Sequence, residues 1–130
     1  MNSNTKIIIF IVVLFIIIIF SGTFTINYLK NTAESLELTV NGAIESVTNK
    51  QWSYAQKQLE EFNNTWDSTK YYWAMLVDHF EVDNIDDCFT KTRKYVESED
   101  YSSSLAELEA LKYYIRHIPE KEGFTLKNIF

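Results

Sequence analysis

An unbroken apolar run, IIIFIVVLFIIIIF at residues 7–20, sets the strongest limit on how this chain can fold. The residues after it, SGTFTINYL, stay uncharged until Lys30. A helix begun at Ile7 and continued for about twenty residues is about 30 Å long, the thickness of the hydrocarbon core of a bilayer. Residues 7–28 are therefore predicted to be a transmembrane helix, with a short cytoplasmic N-terminus at 1–6. A cleaved signal peptide is the rival, since Lys6 precedes the run and Ser21, Gly22 and Thr23 are small. Cutting after Gly22 would place Phe20 where a small residue is required, so the segment reads as an uncleaved signal-anchor.

Charge sets the orientation. Lys6 lies before the span, and the residues after it carry 11 Lys and Arg against 18 Asp and Glu, a balance of 11 − 18 = −7. The positive-inside bias then places the remainder, 29–130, outside the cytoplasm, held to the cell membrane by a single pass. A region this acidic has no concentrated basic face for phosphate backbones, which argues against a nucleic-acid partner. Cys88 is the only cysteine. It can staple nothing within the chain and supports neither a cysteine zinc set nor a paired redox motif. Beside Ile85 and Phe89 it reads as a small buried hydrophobe.

From residue 29 onward the apolar period is helical. Trp52, Ala55, Leu59, Phe62, Trp66, Thr69, Trp73, Leu76 and Phe80 follow alternating steps of 3 and 4, with Thr69 the polar member. Such spacing makes a coiled-coil-like seam on one helix predicted over 51–80, about 45 Å long. Leu29, Ala33, Leu36, Val40, Ala43, Ile44 and Val47 predict a helix over 29–48 that runs on from the span, with a weak point at Asn41-Gly42. Val82, Ile85, Phe89, Thr92 and Val96 mark a third helix, at about 84–97. Leu105, Leu108, Leu111, Ile115 and Ile118 mark a fourth at 102–118, entered through a capping box from Ser104 to Glu107 and ended by Pro119. Short turns at Thr48-Asn49, at Asp83-Asn84 and over 98–104 force antiparallel neighbours. The expected fold is all-α: a transmembrane helix continuing into a small antiparallel up-and-down helical bundle. A C-terminal tail at 119–130 would pack on the bundle or on the membrane surface. Seams of this length also allow a homo-oligomer.

The stretch LVDHFEVDNIDDCF at 76–89 carries most of the candidate chemistry. In an up-and-down bundle His79 and His117 fall at the same end, with Glu81 or Asp83 in reach as an oxygen ligand. Two imidazoles and a carboxylate can hold zinc or iron, so His79, Glu81 and His117 form a candidate metal or pH-sensing set. The structural alternative is favoured: each histidine would close the last turn of a helix, and Asp83 with Asp86 would cap the next one. The spaced oxygens and central glycine of an EF-hand are missing. Adjacent pairs such as Glu60-Glu61 and Asp86-Asp87 diverge by about 100° on a helix and make no catalytic carboxylate pair. No nucleophile elbow, phosphate-binding glycine loop or HExxH occurs in the sequence. Tyr71 and Tyr72 lie off the seam, and Tyr113 and Tyr114 repeat that arrangement, which makes them candidates for a partner face.

The span, the W-x2-A-x3-L at Trp52, Ala55 and Leu59, the tryptophans Trp66 and Trp73, DHFEVDNID, and the closing HIPEKEGFTLKNIF together resemble domain-of-unknown-function family 4363. The matching positions are His79, Glu81, Ile85, Asp86, His117 and the tail Asn128, Ile129 and Phe130. The resemblance implies a short single-span membrane protein of spore-forming, mostly anaerobic bacteria, and no cofactor or catalytic residue comes with it. It further implies an accessory role beside a multispan membrane protein of the cell envelope. The expectation is thus a non-enzymatic interaction subunit that uses its tyrosines and Asn128, Ile129 and Phe130. The alternative is a sensory or ligand-binding module with a metal or pH site at His79 and His117.

Overall fold

The computed structural model describes residues 1–129. It contains α1 (Ser3–Thr48), α2 (Trp52–Leu76), α3 (His79–Glu97) and α4 (Tyr101–Ile129). α1 packs on both α2 and α4, α3 packs on α4, and the smallest of the four interfaces joins α2 to α3. The helices therefore close a ring in chain order as an all-α, antiparallel four-helix bundle. Only the second half of α1 takes part: residues 7–20 stand clear of the ring, exposed along their whole length.

The core is the set of side chains that the helical spacing selects. Leu29, Leu36, Val40, Phe62, Trp66, Trp73, Ile85, Leu111 and Ile115 are all buried to within 1 %. Thr69, the polar member of the α2 seam, donates its hydroxyl to the Thr65 carbonyl at 2.9 Å, so it brings no unmet donor into the seam. α1 passes unbroken through Asn41-Gly42. A Cβ at Gly42 would meet the Gln58 side chain at 2.8 Å. The glycine costs α1 about 1 kcal/mol in propensity and leaves the Gln58 side chain of α2 room to lie against α1 at that turn.

Three boundaries differ from the expectation. The corner between the second and third helices lies at Val77-Asp78, not at Asp83-Asn84. The Asp78 carboxylate accepts the Phe80 N–H at 3.0 Å and caps α3. α2 accordingly ends at Leu76 rather than 80, α3 begins at His79 rather than 84, and Phe80, expected in the seam, is exposed. α4 likewise starts early, because Asp100 accepts the Ser103 N–H at 3.1 Å. Ser104, expected as the cap, is buried instead.

The third difference is the largest. α4 runs through Pro119 to Ile129, so most of the expected tail is helix. A proline inside a helix costs about 3 kcal/mol through its missing N–H and a clash with the preceding turn. Packing offsets that cost: Ile118 and Pro119 are buried, Lys121 pairs with Glu81 of α3 at 3.0 Å, and Leu126 lies against Gly22 of α1.

α1 and α3 end alike. Lys50 (φ 56) and Glu99 (φ 55) take left-handed backbone. Gln51 N–H reaches Ser46 O at 2.8 Å while Lys50 N–H reaches Val47 O at 2.9 Å, and Asp100 N–H reaches Tyr95 O at 2.9 Å while Glu99 N–H reaches Val96 O at 3.1 Å, in each case the paired bonds of a Schellman turn. Glycine suits that backbone better than a residue with a Cβ. Glu99→Gly is therefore expected to stabilise the chain by about 1 kcal/mol, seen as a higher unfolding midpoint; an unchanged or lower midpoint would refute the assignment. Glu99 is the cleaner test of the two, because Lys50 Nζ also lies 5.8 Å over the Tyr101 ring.

Candidate functional site

The acidic stretch at the α2–α3 corner is accounted for residue by residue. Asp78 is the cap of α3. Glu81, in the first turn, holds Lys121 at 3.0 Å, and this bond pushes the Lys121 ammonium's pKa up. Asp86 accepts the Trp66 indole N–H at 2.7 Å and pairs with Lys70 at 2.7 Å. Asp87 pairs with Lys91 at 2.8 Å. Among the described residues Asp83 is the one carboxylate of the stretch without such a partner, and it is exposed.

The candidate metal set does not assemble. His79 opens α3 and is exposed, whereas His117 on α4 stacks on Tyr113 with ring centroids 5.2 Å apart and planes at 11°. Glu81, the intended oxygen ligand, is occupied by Lys121. Among the described residues no group of three or more His, Cys, Asp or Glu is placed to hold a metal ion. The metal alternative at His79, Glu81 and His117 is therefore not favoured. Helical spacing alone predicts His79 in the last turn of α2; the Asp78 cap moves it to the start of α3.

Cys88 is buried, and its thiol donates to the Glu107 backbone carbonyl and carboxylate, each at 3.3 Å. Burial first, and then Glu107, push its pKa up from 9.0 to about 12. Because folding raises this pKa, its contribution to stability is complete below pH 9 and is lost as pH rises toward about 12. At pH 8 the thiolate fraction in the folded chain should be about a thousandfold smaller than in the unfolded chain. A maleimide reagent should consequently label Cys88 only after denaturant is added. Rapid labelling of the folded chain would contradict its place in the core.

The tyrosines separate into two levels. Tyr72 meets Tyr28 edge to face at 6.0 Å, and the neighbouring Trp73 donates to Thr32 at 2.8 Å, which sets Tyr71 and Tyr72 beside the lower turns of the bundle. Arg116 reaches Glu37 at 3.6 Å, so Tyr113 stands about 15 to 20 Å farther along α1. Tyr71, Tyr72 and Tyr113 are exposed, while Tyr114 is half-buried against the core. Of the expected tail contacts, Asn128 is exposed in the last turn of α4 and Ile129 closes that helix. Phe130 lies outside the described residues.

One feature escaped sequence reasoning. α1 and α4 enclose a groove of about 820 Å³ at the foot of the bundle, lined below by Ile19, Gly22, Ile26, Gly123 and Leu126. Its upper part carries Lys30, Glu34, Glu37, Arg116 and Glu120. Ending α4 at Pro119 removes one wall of this groove, which is why the sequence hid it. The signal was present in the helical spacing of Ile115, Ile118, Glu122 and Leu126, which continues across the proline.

Residues 23–129 match the family described as a domain of unknown function, DUF4363. The chain belongs to the DUF4363 family. The DUF4363 match takes in the bundle half of α1 and all of α2 and α3, and both walls of the upper groove, while the apolar run at 7–20 lies before it. No curated protein and no solved structure matches the chain.

Proposed function

We propose that this DUF4363 chain is a membrane-anchored extracytoplasmic bundle serving as an accessory or interaction subunit of a cell-envelope membrane protein, with no reaction of its own. One observation carries the reading. α1 is, among the described residues, the helix long and apolar enough to cross a membrane, and none of its apolar run at 7–20 is buried. Each Ile, Leu, Val or Phe left in water forfeits about 1.5 to 3 kcal/mol relative to burial. An exposed run of that kind requires a covering, and a bilayer supplies one of matching thickness.

The foot of the bundle agrees with this placement. Phe24, Tyr71, Tyr72, Met75, Phe80 and Phe124 are the exposed large side chains there, and aromatic residues favour the headgroup level. Lys6 before the span and the acidic balance after it favour a bundle outside the cytoplasm. Tyr113 is exposed well above that level and is, of the four candidate tyrosines, the one available to a protein partner.

Photocrosslinking from Tyr113 in native membranes tests the partner. A discrete adduct with an integral membrane protein is expected. Absence of any protein adduct, together with normal growth and envelope integrity when the gene is deleted, would sink the accessory reading. A membrane-impermeant maleimide applied to whole cells carrying Ser102→Cys in a Cys88→Ala background should label the chain, and labelling only after lysis would reverse the orientation.

A further inference from the structure

We infer that the groove between α1 and α4 is a binding site for a single phospholipid of the outer leaflet, an inference that rests on the anchor reading above. The lower wall is apolar and lies at the height of the span: a Cβ at Gly22 would meet Leu126 at 3.6 Å, and one at Gly123 would meet Ile26 at 4.0 Å. α4 thus joins the transmembrane helix below the point where that helix leaves the hydrocarbon, and the lower groove opens sideways into acyl chains. Filling it with water would leave those apolar walls wet. An acyl chain removes that cost.

The upper groove has the opposite character. Arg116 is held by Glu37 at 3.6 Å, whereas Lys30 and Lys127 make no ion pair among the described residues. Lys127 is rooted beside Leu126, at the height of Gly22, so its stem must run upward along the groove for its ammonium to reach water. Lys30 approaches from above. With the span ending near residue 28, Lys30 and Lys127, which both line the groove, are rooted on either side of the level where a lipid phosphate sits, and Glu34 lies one turn farther up α1, where an amine-bearing headgroup would meet it.

Shape argues in the same direction. The lining follows α1 from Ile19 to Glu37, about 27 Å along the axis. That is a long trough, apolar at one end and charged at the other, which is the profile of an amphiphile. A helix of uniform character, apolar or polar along its whole length, would mismatch one end of it. A phospholipid meets both ends with like chemistry.

The test uses the full chain reconstituted in vesicles of phosphatidylglycerol and phosphatidylethanolamine in equal parts, released into mild detergent and weighed by native mass spectrometry. One retained phospholipid per chain is expected. Gly123→Leu has space to enter the groove and should abolish retention. Lys30→Glu and Lys127→Glu leave the walls in place and should each weaken retention about fivefold. Protection of Cys88 from maleimide reports that each variant is folded.

Equal retention by all variants would make the lipid adventitious and overturn the site. So would a crosslink between two copies, or to another protein, formed through position 123. An alkaline wash of the starting membranes separates the two levels of the argument. A chain that stays with the membrane but retains no lipid overturns the groove alone, whereas a chain released by the wash overturns the anchor reading as well.

Discussion

Replacing Trp73 by alanine will cost the fold about 3 to 5 kcal/mol, and replacing Trp66 about as much. Both indoles are buried to within 1 %, and they meet edge to face with centroids 5.5 Å apart and planes at 80°. Each also ties α2 to a different neighbour. Trp73 donates to the Thr32 hydroxyl of α1 at 2.8 Å, and that hydroxyl in turn donates to the Tyr28 carbonyl at 2.9 Å. Trp66 donates to Asp86 of α3 at 2.7 Å, across the smallest interface in the ring.

A small domain is usually stable by about 5 to 15 kcal/mol, so either loss takes a large share of the total. Denaturant unfolding of the full chain in lipid nanodiscs, followed by helix content, measures it. The double variant should fall short of the sum of the two single losses, since the rings touch and share one cavity. Losses under about 1 kcal/mol for both would mean that the aromatic pair is not the joint of the bundle. Trp66→Phe separates packing from hydrogen bonding: it keeps most of the ring's burial and leaves Asp86 still paired with Lys70 at 2.7 Å.

The bundle was legible because its seams are long and periodic. Steps of 3 and 4 from Trp52 to Trp73 admit one structure, and the structure buries those side chains apart from the partly buried Trp52 and Thr69. Boundaries were less legible, since several acidic residues offered themselves as caps. Asp83 and Asp78 are equally plausible by type; only Asp78 has its carboxylate beside a free N–H, that of Phe80. Ser104 followed by Glu107 satisfies the pattern of a capping box, yet Glu107 receives the Cys88 thiol and Asp100 does the capping.

Pro119 misled for a physical reason as well. Its local penalty is visible in the sequence, whereas the packing that outweighs it comes from residues as distant as Gly22 and Glu81. The groove was lost with it, because it exists only between α1 and the turns of α4 that follow the proline. The metal candidate is disfavoured by the same kind of distant contact: Lys121, forty residues from Glu81, takes the carboxylate that the histidines would need.

Leu14→Asp together with Ile17→Asp is expected to abolish membrane retention while leaving the bundle folded. The fourteen residues at 7–20 are all Ile, Leu, Val or Phe, and at about −0.3 to −0.6 kcal/mol each they favour insertion by roughly 4 to 8 kcal/mol. Two aspartates near the middle of that run would cost about 2.5 to 3.5 kcal/mol each in a bilayer, roughly 5 to 7 kcal/mol together. That sum matches the whole driving force. Three residues apart, the carboxylates lie on one helix face, so a single tilt cannot carry both to the interface in opposite directions. Neither position touches the ring, since Leu14 and Ile17 are 45 % and 57 % exposed, so Cys88 should stay protected from maleimide in the variant. Leu14→Ala with Ile17→Ala is the control and should leave the chain in the membrane pellet after an alkaline wash. If the double aspartate chain pellets as well as that control, the apolar run is covered by protein rather than lipid, and the anchor must be given up.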